Sequence, residues 1–97
     1  MDELRFTWDP DKARKNERKH RVSFEEARTV FLDEYARFQD DPDRSEEEER
    51  FLLLGLSARL RILVVCHCYR SEDQEIRIIS ARKATKNERQ QYEDFLP

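Results

Sequence analysis

Residues 50–56 and 61–69 read as two long strands, because they hold the densest apolar runs of the chain, Phe51–Leu56 and Ile62–Cys66. Only Ser57-Ala58-Arg59-Leu60 joins them. A link of four residues suits a hairpin, whereas a parallel crossover takes a dozen or more. The two strands are therefore expected to be antiparallel neighbours. The rest of the chain is polar: 42% of its residues are charged, against about 25% in an ordinary domain. Such a balance approaches that of disordered chains. Concentrating the apolar side chains in two strands nevertheless gives this one something to bury, so it folds.

Other elements follow from local signals. Phe6-Thr7-Trp8 alternates as a short strand. Asp9-Pro10 opens a helix expected to reach His20, with the Asp side chain accepting free amides and Pro at the first helical position. Ser23 and Glu26 have the spacing of a capping box, and Val22 and Ala27 that of a hydrophobic staple. Phe24, Ala27, Val30 and Phe31 then share one face of a second short helix. Residues 35–38 are strand-like, and residues 75–81 form a third long strand after a turn at 71–74. Thr85 with Glu88 opens a C-terminal helix from about Lys86, whose Tyr92, Phe95 and Leu96 should dock on the sheet. The expected fold class is α+β: one domain over residues 1–97, with a short N-terminal strand, two helices, an antiparallel β-meander and a C-terminal helix.

Strand parity assigns faces. Ile62, Val64, Cys66 and Cys68 share one side, expected to be the core; Leu63, Val65 and His67 share the other with Arg61 and Tyr69, polar at both ends. In the last strand Arg77 and Arg82 point to opposite faces unless the strand bulges or ends between them. Cys66 and Cys68 lie two apart on one strand, a poor geometry for a disulfide, and read as buried free thiols. A metal site needs about four ligands, and His20 and His67 are the other soft donors, so neither metal nor cofactor is expected. No apolar stretch approaches the ~18 residues of a membrane span, and residues 1–5 lack a signal peptide's apolar run. A cytoplasmic protein is expected.

The net charge of −3 speaks against a nucleic-acid partner, but its distribution speaks for one. Residues 12–21 hold six Lys and Arg plus His20 against Glu17 alone. Residues 77–89 hold Arg77, Arg82, Lys83, Lys86 and Arg89 against Glu88. The acid gathers between Asp40 and Glu49. Solvated helix faces are the plainer reading of either basic patch taken alone.

The runs Phe6-Thr7-Trp8-Asp9-Pro10-Asp11-Lys12-Ala13 and Asn16 to Ala27 resemble the opening F-x-W-D-x-x-K and the N-x-x-K-H-G-V-S-F-E-E-A segment of BrnT toxins. Glu48-Glu49-Arg50-Phe51 with Gly55, and Arg77 to Thr85 with Glu88, Arg89 and Tyr92, resemble that family's later motifs in the same order. Arg21 departs from the pattern, standing where the family has Gly; it must take a left-handed conformation there, or the helix exit is reshaped. The resemblance implies a RelE-like ribonuclease fold. It also implies a toxin of a type II toxin–antitoxin pair, silenced by a BrnA-like antitoxin whose ribbon-helix-helix part binds operator DNA.

RNA cleavage of this class needs no metal: the 2′-OH attacks the adjacent phosphorus while other groups move protons and cations stabilise the phosphoryl oxygens. His20, Arg77 and Arg82 are the candidate catalytic residues, with Lys12, Lys19, Lys83 and Lys86 binding substrate. Each has a plainer reading. His20 complements a helix C-terminus, Arg77 joins a cross-strand ion pair, and Arg82 pairs with the acidic loop. His67, Arg61 and Tyr69 form a rival cluster, while Tyr92 and Trp8 read as packing residues. Masking by an acidic or amphipathic antitoxin segment is expected near Arg77, Arg82 and Lys83, with the loop from Asp40 to Glu49 pointing away from that contact or toward a basic patch of the partner. Two other classes stay open: a non-catalytic nucleic-acid-binding module, and a protein-interaction regulator using the acidic loop and apolar strands.

Overall fold

The expected hairpin forms the middle of the sheet. In a computed structural model that describes residues 4–42, 48–72 and 74–97, β3 (Phe51–Leu56) pairs antiparallel with β4 (Ile62–Arg70), Leu54 opposite Val64. β5 (Glu75–Lys83) flanks β4, also antiparallel, and β2 (Arg37–Asp40) flanks β3. The N-terminal strand β1 (Arg5–Thr7) adds to the outside of β5 in parallel, so the five-stranded order is β1-β5-β4-β3-β2 and the sheet is mixed. Most of the acidic loop expected between Asp40 and Glu49, and one residue of the turn before β5, lie outside the described residues.

β2 begins two residues later than expected. Asp33 explains the shift: its carboxylate accepts the Tyr35 amide at 3.0 Å and its carbonyl the Ala36 amide at 3.1 Å, winding 33–36 into a turn. Helix α1 (Pro10–His20) starts under the Asp9 cap. It ends at Arg21 in the left-handed region (φ 59°, ψ 32°), at a cost of about 1 kcal/mol relative to Gly. Helix α2 (Phe24–Thr29) runs into a 3₁₀ turn, Val30–Leu32, and α3 spans Lys86–Asp94 with the complete Thr85–Glu88 capping box. The first box is only half made. Ser23 Oγ accepts the Glu26 amide, but the buried Glu26 carboxylate turns to the Ser57 hydroxyl at 2.7 Å and to the Arg61 guanidinium. A forked charge pair satisfies a buried carboxylate better than one cap amide does.

The two faces of the sheet are unequally covered, in the reverse of the expected sense. Leu53, Leu63, Val65, Ile78 and Ala81 meet Val22, Phe24, Ala27 and Val30 in the deeper core. The face of Ile62, Val64, Cys66 and Cys68 carries the thinner one, where Leu54 and Val64 pack with Ala84 and Tyr92. Apolar residues at both parities of β4 signal a strand buried on both sides, and the polar ends at Arg61 and Tyr69 hid this. Of the expected docking stripe only Tyr92 is buried. α3 stops at Asp94, leaving Phe95 63% and Leu96 40% exposed, with Arg37 stacked over the Phe95 ring at 3.7 Å. Gly55 is held to its type by space: a Cβ there would lie 2.9 Å from both Ala36 Cβ and Asp33 Oδ2.

Candidate functional site

β5 does not keep a regular register. Cys66 of β4 stands opposite Ser80, yet the next residue, His67, stands opposite Ile78, so Ile79 is an extra residue bulged out of the ladder. Before the bulge even-numbered residues of β5 face α1 and α2; after it odd-numbered ones do. Arg77, opposite Cys68, and Arg82, opposite Val64, consequently share the face that α3 partly covers. They stand four β4 residues apart, about 13 Å along the strand.

Between β2 and the start of α3 that face is hollowed by a polar cavity of about 420 Å³, whose lining includes Gln39, Arg50, Cys66, Ser80, Arg82 and Glu88. Glu88 holds Arg82 in a forked pair, Nη1 to Oε1 at 2.7 Å and Nη2 to Oε2 at 3.0 Å. Arg82 was expected to pair, in the plainer reading, with the acidic loop; its carboxylate comes instead from the capping box of α3. The Arg82 pair pulls the Glu88 carboxyl down to about 2, helped by the Thr85 amide. Glu88 thus stays ionised and unfit to take up a proton near neutrality. Burial, aided by Asp41, pushes the Cys66 thiol up to about 12, so it is no nucleophile. Both cysteines are free.

Arg50 was missed as a candidate. It lines the cavity beside Arg82, and its buried Nε makes no hydrogen bond among the described residues, with Glu48 Oε1 standing 3.5 Å away. The signal was available: Arg50 shares strand parity with Leu52 and Leu54, both on this face.

The remaining candidates are dispersed. Lys83 lies opposite Leu63, hence on the opposite face from Arg82, and Lys86 is exposed in the first turn of α3. Lys12 and Lys19 are exposed on α1, and half-buried His20 ends that helix. Among the described residues no hydrogen bond, ion pair or ring contact joins His20 to Arg77 or Arg82. α1 is nevertheless fastened to the same strand. Asn16 Nδ2 donates to the Ala81 carbonyl at 2.8 Å and to that of Val22 at 2.9 Å, and its Oδ1 accepts the Ala81 amide at 3.1 Å.

The rival cluster does not assemble. Arg61 is bound to Glu26, while His67 is fully buried among Phe31, Phe38, Phe51 and Tyr69. Burial lowers its pKa and keeps it neutral. Trp8 packs edge-on against Phe24, and Tyr92 packs with its hydroxyl donating to Asp33 Oδ2 at 2.6 Å.

Residues 8–88 match the family described as the ribonuclease toxin, BrnT, of type II toxin–antitoxin systems. The chain belongs to the BrnT toxin family. An antitoxin partner comes with that membership. The crystal structure of the Brucella abortus ribonuclease toxin BrnT superposes with a TM-score of 0.64 and 21% identity, over 86% of this chain and 99% of that one. This likeness shows a shared fold. No curated protein sequence matches significantly. Among the described residues no helix is long and apolar enough to cross a membrane.

Proposed function

We propose that this BrnT-family chain acts as a single-domain, metal-independent endoribonuclease in the cytoplasm and binds RNA on the α3 face of its sheet. The observation that carries the reading is the bulge at Ile79, which gathers Arg77 and Arg82 on one face beside a polar cavity. Arg82, fixed by Glu88, keeps guanidinium donors for a phosphoryl oxygen, and a pre-oriented cation stabilises the charge that grows during 2′-OH attack. Arg77 holds the neighbouring stretch of backbone. Lys12, Lys19, Lys83 and Lys86 add long-range attraction for the polyanion. His20, the one imidazole not sealed in the core, ends α1 on the other face, so it acts as proton carrier in this scheme only if the RNA passes round the open edge of β5. A BrnA-like antitoxin, with a ribbon-helix-helix part for operator DNA, neutralises the toxin by laying an acidic segment over Arg77 and Arg82.

The test is cleavage of a defined single-stranded RNA in excess EDTA. The expected products end in a 2′,3′-cyclic phosphate, and a 2′-deoxy substitution at the scissile position abolishes cleavage. Cleavage that survives this substitution, or that stops in EDTA, overturns the mechanism.

A further inference from the structure

The α3 face carries a second hollow, toward the C-terminal end of the helix, whereas the polar cavity lies near its start. It measures about 600 Å³ and is floored by Leu56 and Ile62, walled by Tyr92 and Leu96 on one side and by Leu32 and Tyr35 on the other. Its charged lining residues are all acidic: Asp33, Glu34 and Glu93. Asp33 is already occupied by the Leu56 amide and the Tyr92 hydroxyl, but Glu34 and Glu93 are exposed on the rim. Leu32 is 86% exposed, and Leu60 of the neighbouring hairpin turn 79%. Exposed apolar side chains gathered at a groove mark an interaction site.

We infer that this groove seats an apolar segment of the antitoxin flanked by Lys or Arg. The inference rests on the toxin–antitoxin reading and supplies what electrostatic masking lacks, an apolar anchor. Two observations select this occupant. The rim is acidic, so the fitting segment is basic; the most basic element of this chain, α1, exposes no large apolar side chain, and a second copy docking through Leu60 between Arg59 and Arg61 is the self-association outcome of the test below. The groove also continues the proposed RNA site, because Leu52 in the polar cavity and Leu56 in the groove lie on the same strand and face. They are four residues apart, about 13 Å. One partner segment crossing α3 would therefore place apolar and basic residues in the groove and acidic residues over Arg50 and Arg82. Such a segment is anchored by burial, which governs its escape, and steered by charge, which governs its approach.

The experiment measures binding of the full-length cognate antitoxin to the wild-type chain, to Leu32→Asp/Leu96→Asp and to Glu93→Lys, with RNA cleavage and light scattering in parallel. All three positions are exposed, so the variants are expected to fold. The double variant should lose at least about ten-fold in affinity, mainly through faster dissociation. Glu93→Lys should lose a smaller factor that shrinks as salt rises. Cleavage should stay at the wild-type rate in both. Wild-type affinity in the double variant overturns the groove assignment, as does self-association that the double variant abolishes while antitoxin binding persists. Failure of the wild-type chain itself to bind the antitoxin overturns instead the toxin–antitoxin reading beneath it.

Discussion

The two faces of β4 are made from alternate residues of one strand, yet they behave as different materials. On the α1–α2 face Leu63, Val65 and His67 are all but sealed, and the single titratable group among them is held neutral in a cage of aromatic rings. On the α3 face Val64, Cys66 and Cys68 are nearly as buried, but a nine-residue helix covers only part of the sheet and leaves a cavity with charged walls. One helix cannot cover what two helices cover, and the uncovered remainder is where arginines can meet a ligand. The stability of this chain is thus expected to reside on one face and its chemistry on the other.

A crossed pair of substitutions tests that division most strongly. Arg82→Ala should lower the RNA cleavage rate about 10²–10³-fold while costing under about 1 kcal/mol of stability, because its ion pair with Glu88 is 40% exposed on the arginine side. Leu63→Ala should cost about 3 kcal/mol in thermal or urea unfolding, and half-buried Ile62→Ala on the other face about 1 kcal/mol. An Arg82→Ala protein that unfolds as easily as Leu63→Ala, with cleavage intact, would erase the distinction. Gly55→Ala sharpens it further. The added methyl meets Ala36 and Asp33 at 2.9 Å and Val30 at 3.0 Å, so denaturation should show a loss of about 1–3 kcal/mol. Ser80→Cys, facing the cavity, should change stability by less than about 0.5 kcal/mol.

The acid response of the Arg82–Glu88 pair tests the charge on the α3 face by itself. The Glu88 pKa is about 2 when folded, against an ordinary 4.5. Its contribution is therefore complete above pH 4.5 and lost as pH falls through 2. Glu88→Gln should accordingly be less stable than wild type by about 1 kcal/mol at pH 6, with the gap much reduced at pH 2 and closed only below it. Melting curves at the two pH values check this; a gap that stays constant would mean the pair contributes nothing through its charge.

Much of the fold was legible because its signals are local. The Asp9-Pro10 start, the Thr85–Glu88 box, the four-residue hairpin link and the left-handed demand on Arg21 each depend on a few neighbouring residues. Several of the failures involve partners distant in sequence. Glu26 left its capping box for Arg61, which is 35 residues away. Tyr92 found Asp33, 59 residues away, and Asn16 found Ala81, 65 residues away. The site was half legible for the same reason. Parity stated the condition under which Arg77 and Arg82 would share a face, but a run as uniform as Arg77-Ile78-Ile79-Ser80 does not announce which residue bulges. The parity of Arg50 with Leu52 and Leu54 puts it on the cavity face, but only the folded register of the sheet brings it beside Arg82.

The Asn16 clasp bears on a hazard that has nothing to do with RNA. Among the described residues β1 covers this edge of β5 only over 75–77, so the rest of that strand would offer backbone amides and carbonyls to any extended chain that drifted against it. By occupying both backbone groups of Ala81, Asn16 removes the first rung on which such a stray strand could start pairing. What remains unpaired at the far side of the sheet is β2, four residues long with Arg37 and Asp40 at its ends, a poor template for growth. A single asparagine in the first helix thus both fastens that helix to the sheet and blunts the sheet's open edge.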